Sequence, residues 1–151
     1  GLPTQHFGYF WALLVLGFAI GAFLANHMVK TSSIPTILNT GFMFLILGAA
    51  ILFGITYNSN DTITSLAVGM TLIAFGDGLI FSTTPTLAME ASTSRTGSAA
   101  AMLVTIEMSI GALAALAIGV LHDGSSRPFG LTIAALATCG LFSYLLKQNK
   151  N

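Results

Sequence analysis

The stretch Leu66-Ala-Val-Gly-Met70-Thr-Leu-Ile-Ala-Phe75-Gly-Asp77-Gly-Leu-Ile80-Phe-Ser-Thr-Thr-Pro85-Thr-Leu87 holds a single ionisable group in an otherwise largely apolar run. A hydrocarbon core of about 30 Å takes about 20 apolar residues as a helix, so this run reads as a membrane span with Asp77 near its middle. A second run, Gly97–Leu121, carries Glu107 in the same way. An ionisable side chain at bilayer depth costs roughly 2.5–3.5 kcal/mol on insertion scales, and it marks a proton, ion or substrate pathway by default. These two acids point to a membrane protein that moves something.

Composition agrees. Charged residues make up 7% of the chain and apolar ones 54%, with a mean hydropathy of +0.86. A soluble domain carries about 25% charged residues, so a water-exposed fold is excluded on composition. Net charge is zero, which gives no reason to expect nucleic acid or a charged soluble partner. Five stretches are long and apolar enough to span: Phe7–His27, Pro35–Tyr57, Thr62–Ala88, Gly97–Leu121 and Phe129–Leu146. The breaks between them carry Ser, Asn, Asp, Gly or Pro in the combinations of turns and helix caps. The expected fold is an all-α transmembrane, five-span up-down helical bundle, forming a single membrane domain over residues 1–151.

Basic residues set the expected orientation. Lys30, Arg95, Lys147 and Lys150 fall on the side of the C-terminus, against Arg127 alone on the other. The excess places the C-terminus in the cytoplasm. The opening Gly-Leu-Pro-Thr-Gln-His has no basic n-region and no initiating Met, and reads as the interior of a longer open reading frame or a processed product. Cys139 is the only cysteine, sits in an apolar run and makes no intrachain disulfide. No metal-ligand spacing, phosphate-binding glycine loop, nucleophile elbow or plausible triad occurs. The reading is therefore of a non-enzyme with no cofactor and no metal.

The orientation gives depth. Asp77 lies about 11 residues from the cytoplasmic end of its span and Glu107 about 10, so both sit roughly 15 Å below that surface at 1.5 Å per residue. Desolvation disfavours the charged form of a carboxyl, and two neighbouring carboxyls resist double ionisation. Such a pair is suited to taking up and releasing a proton where water reaches it. The plain alternative is a neutral acid hydrogen-bonded to Thr83, Thr84, Thr105 or Ser109. Gly76 and Gly78 frame Asp77 and let neighbouring backbones approach. Gly111, Ala115 and Gly119 continue a small-residue row from Glu107, and Gly17 and Gly21 form another in the first span.

Ser82-Thr83-Thr84-Pro85 reads as a kink, since Pro85 removes a backbone hydrogen bond that hydroxyls can compensate. A hinge and a simple distortion both fit. Trp11, with Tyr9 and Phe7, reads as an interfacial aromatic belt, or as lining of a ligand cavity. Met70, Met102 and Met108 flank the acids as adaptable apolar surface, core or cavity lining, and Phe81 joins them as possible lining. Spans two and five hold no ionisable group within their apolar lengths, the pattern of outer helices around inner ones.

The stretch Arg95-Thr96-Gly97-Ser98-Ala99-Ala100-Ala101-Met102-Leu103, continuing through Glu107-Met108, Gly111-Ala112 and Leu121-His122-Asp123-Gly124-Ser125, resembles the eleventh helix and following loop of Bcr/CflA-type drug-efflux transporters of the major facilitator superfamily. Phe75-Gly76-Asp77-Gly78-Leu79-Ile80-Phe81 resembles their tenth helix, and His6-Phe7-Gly8-Tyr9-Phe10 the start of their eighth. The resemblance implies that the spans correspond to helices eight to twelve of a twelve-helix bacterial inner-membrane antiporter, a partial C-terminal six-helix repeat. It further implies proton-coupled multidrug efflux, a small amphipathic and possibly cationic substrate, and a missing N-terminal half as partner. Asp77 and Glu107 would then stand in the cavity wall. Two other classes fit the same residues: a structural or assembly subunit whose acids pair with a basic partner, and a small oligomeric channel.

Overall fold

The computed structural model describes residues 4–58, 63–90, 96–122 and 124–148. These form five α-helices: α1 (Thr4–Met28), α2 (Ile34–Tyr57), α3 (Ile63–Glu90), α4 (Thr96–Val120) and α5 (Arg127–Gln148). No strand occurs among the described residues. Each helix is long and apolar enough to cross a membrane. Such segments must be helical in lipid, because only intrahelical bonds satisfy every backbone N–H and C=O without water. The chain is an integral membrane protein with all-helical architecture. Two of the cations behind the orientation, Arg95 and Lys150, lie outside the described residues, and nothing is described of the Lys147 side chain.

Local chemistry sets the turns. Ser33 starts α2 in extended conformation with Pro35 in the first turn, where its missing N–H costs nothing. The Ser33 carbonyl accepts from the Thr36 and Ile37 N–H groups at 3.0 and 3.3 Å. Between α4 and α5, Gly124 takes a left-handed φ of 84°, open to glycine without steric cost. The Arg127 N–H then donates to Ser125 Oγ at 3.3 Å as α5 begins.

The helices are not equal partners. α3 is the hub, packed between α1 and α2 and bordered by α4, while α5 rests mainly on α2. Glycines make the hub. A Cβ at Gly76 would stand 2.6 Å from the Gly41 carbonyl oxygen and 2.8 Å from the Leu45 nitrogen, so α2 touches α3 backbone to backbone. Gly78 meets Phe18 and Ala22 of α1 in the same way, and Gly21 of α1 meets Phe75. This is the close approach that small residues permit in membranes. Leu79 fills the seam with Ala25 and Ile37, flanked by Met28, Phe44 and Phe75, and the Phe44 and Phe75 rings meet edge to face at 4.9 Å. α5 is held to α2 by Tyr144, which stacks on Phe42 at 4.9 Å and donates its hydroxyl to the Pro35 carbonyl at 3.3 Å.

Two expectations about packing meet a different arrangement. The small row Gly111, Ala115, Gly119 of α4 is exposed, and a Cβ at either glycine would meet nothing within 4 Å. The pattern of outer second and fifth spans also fails for α2: a third of its span is buried, whereas none of the α4 span is. The reason is geometric. α3 offers glycine to α1 and α2 on adjoining faces, and α4 is left with looser contacts to α3 and α5.

Candidate functional site

Gly76 and Gly78 stand two positions apart, about 200° round the helix, and each is closed by a neighbour. Leu79 and Phe75 point into the seam between α1 and α2. Asp77 is left on the opposite side of α3, the side facing α4 and the open flank. Its side chain is exposed on that flank. The glycine-acid-glycine triplet thus works as one device: the glycines draw α1 and α2 in, and the acid is turned away from the seal they make.

Glu107 stands at the middle of α4 as Asp77 stands at the middle of α3. It is half-buried, and Leu103, Ala114 and Ile118 share its stripe of partial burial, four or seven residues apart as on one helix face. That stripe is the face α4 turns toward the protein. Glu107 is near enough to act electrostatically on Asp77 as a like charge. Asp77 is thus exposed on α3 and Glu107 half-buried on the neighbouring α4.

The hydroxyls that offer either acid a partner donate within their own helices and keep their lone pairs for accepting. Thr83 donates to the Leu79 and Ile80 carbonyls at 3.1 and 3.0 Å, and Thr84 to the Ile80 carbonyl at 2.8 Å. Thr105 donates to the Ala101 carbonyl at 2.8 Å and Ser109 to the Thr105 carbonyl at 2.7 Å. Each bond lies within its own helix, the back-bonding that lets Ser and Thr sit inside apolar helices.

The remaining sequence-marked residues divide. Met70 lies two turns from Asp77 on the same face of α3, and Phe81 one turn beyond it. Phe81 meets Phe18 of α1 edge to face at 5.7 Å, which adds Phe18 to this region. The sequence singled out neither Phe18 nor its helix flank, since one phenylalanine among many carries no signal by itself. Trp11 and Tyr9 are exposed near the start of α1, while the Phe7 side chain lies outside the described set. Met102 and Met108 are each 67% exposed, and Met102 is about 140° round α4 from Glu107, so it is not brought to the acids. α3 runs unbroken through Pro85. The Ser82, Thr83 and Thr84 hydroxyls go to the Leu79 and Ile80 carbonyls, short of the Phe81 carbonyl whose N–H partner Pro85 removes. Among the described residues no group of metal-ligating side chains occurs.

Chemically, the region offers two acids at mid-helix, apolar surroundings and an aromatic edge. That combination can hold a proton, or attract an apolar cation that carries its own charge into the bilayer. No protein-family model, curated protein or solved structure matches the chain.

Proposed function

We propose that this chain is part of a proton-coupled transporter of the major facilitator type that exports small amphipathic molecules from the cytoplasm, with Asp77 and Glu107 in the wall of its substrate and proton cavity. The observation that carries the reading is one acid at the middle of each of two neighbouring helices, Asp77 on α3 and Glu107 on α4. An ionisable side chain at bilayer depth marks a proton, ion or substrate pathway by default, and a carboxyl that water can reach there can take up and release a proton. The resemblance of the α3 and α4 sequences to the tenth and eleventh helices of Bcr/CflA-type antiporters supplies the transport class. Transport of this kind needs two repeats moving around a midplane site, so this chain works with a complementary set of helices.

The test is Glu107→Gln in the complete transporter. Efflux of cationic compounds should fall at least tenfold while membrane expression stays normal, and substrate-driven proton release into proteoliposomes should fall with it. Unchanged export together with unchanged proton release would remove Glu107 from this role.

A further inference from the structure

We infer that the open strip of α3 between α1 and α4 is a docking surface for a transmembrane helix of a partner chain that carries one lysine or arginine at mid-membrane. Its floor is Met70, Asp77 and Phe81, with Phe18 on the α1 side and Glu107 on the α4 side. Charge complementarity selects the occupant. Among the described residues the cations and histidines of this chain stand at helix ends or in turns, as at His27, Lys30, His122 and Arg127, and none lies at the depth of the acids. Lipid tails over the strip would leave both carboxyls facing hydrocarbon, at a few kcal/mol for an ionised group. A second copy of this chain would bring two further acids. A helix with one basic side chain at that depth neutralises one carboxylate and separates it from its neighbour.

Length and shape agree with a helix. On the strip itself, Phe81 lies eleven residues beyond Met70 along α3, about 16 Å at 1.5 Å per residue, or about half of a span centred near Asp77. Gly111, Ala115 and Gly119 lie beside Glu107 with open space before both glycines, so a partner backbone can come close. The inference stands on the charge and shape of this face and does not require the transport reading.

The experiment uses the chain in phosphatidylcholine liposomes with a donor label at Cys139, its only cysteine. The probe is an acceptor-labelled Leu/Ala transmembrane peptide with a single central lysine, compared with the same peptide carrying leucine there. Energy transfer should report at least tenfold tighter association of the lysine peptide. Asp77→Asn with Glu107→Gln should abolish the preference, and Asp77→Glu should keep it. If the double variant fails to insert, Glu107→Gln alone should weaken the preference. Equal association of both peptides, an undiminished preference in the neutralised variants, or transfer only between copies of the chain would overturn the inference. None of these outcomes bears on export by the complete transporter, which is read separately.

Discussion

At the scale of the residue, Asp77 works against insertion of its own helix. Leucine at mid-span favours insertion by about 0.3–0.6 kcal/mol and aspartate opposes it by about 2.5–3.5, so Asp77→Leu should ease insertion of α3 by about 3–4 kcal/mol. Glycosylation mapping of the isolated α3 segment checks this, and on the transport proposal the same change should abolish export. A variant that inserts better and still exports would make Asp77 dispensable. Tyr144 is the opposite kind of residue, a fastener. Its hydroxyl bond to the Pro35 carbonyl and its stack on Phe42 join α5 to α2. Interhelical hydrogen bonds in membranes average about 0.6 kcal/mol, and an aromatic pair adds about 0.5–1.5. Tyr144→Phe should therefore cost about 0.5 kcal/mol and Tyr144→Ala about 1–2, read from denaturant titration in mixed micelles. Equal losses would mean that the ring contributes nothing.

At the scale of the element, two helices with the same small-residue signature behave differently. The row of α1, Gly17 and Gly21, is closed against Thr71 and Phe75, while the row of α4 faces open space. A methyl group at Gly78 would press on Phe18 and Ala22 backbone atoms that cannot swing aside. Overpacking of this kind costs about 1–3 kcal/mol, so Gly78→Ala should destabilise the chain by that amount. Gly119→Ala meets nothing and should be neutral or slightly stabilising in the chain by itself. Thermal scans of both variants in one detergent check the contrast, and equal effects would contradict the asymmetric packing. The sequence alone could not separate the two rows. In water, the apolar face of a helix announces what it buries. In lipid, tails are as apolar as leucine, so exposed and packed faces of α4 carry the same kind of residue. Five helices were legible because span length and turn chemistry are local. The glycine-acid-glycine triplet was legible as a close-packed point because backbone approach in a membrane needs small residues. Which helix would be left at the margin was not legible, since that depends on contacts between distant segments.

At the scale of the whole molecule, stability is unevenly distributed. α1, α2 and α3 share the buried seam of Ala25, Ile37 and Leu79, whereas no residue in the α4 span is buried. In a bilayer no hydrophobic force holds α4 against its neighbours, so its place depends on the sparse contacts to α3 and α5. Regions with few buried contacts open first and at lower free energy than the core. The acids sit on this division, Asp77 on the firm unit and Glu107 on the loose one. Their separation can therefore change without disturbing the seam of α1, α2 and α3. In an SDS titration of the chain in micelles, energy transfer between labels on α1 and α3 should outlast transfer between labels on α3 and α4. Glu107→Gln removes from the loosely packed helix an ionisable group that costs a few kcal/mol at bilayer depth, and should move the second, earlier transition toward the first. A single transition shared by both label pairs, unaffected by Glu107→Gln, would show that α4 is bound as firmly as the rest and that the acids do not act on its position.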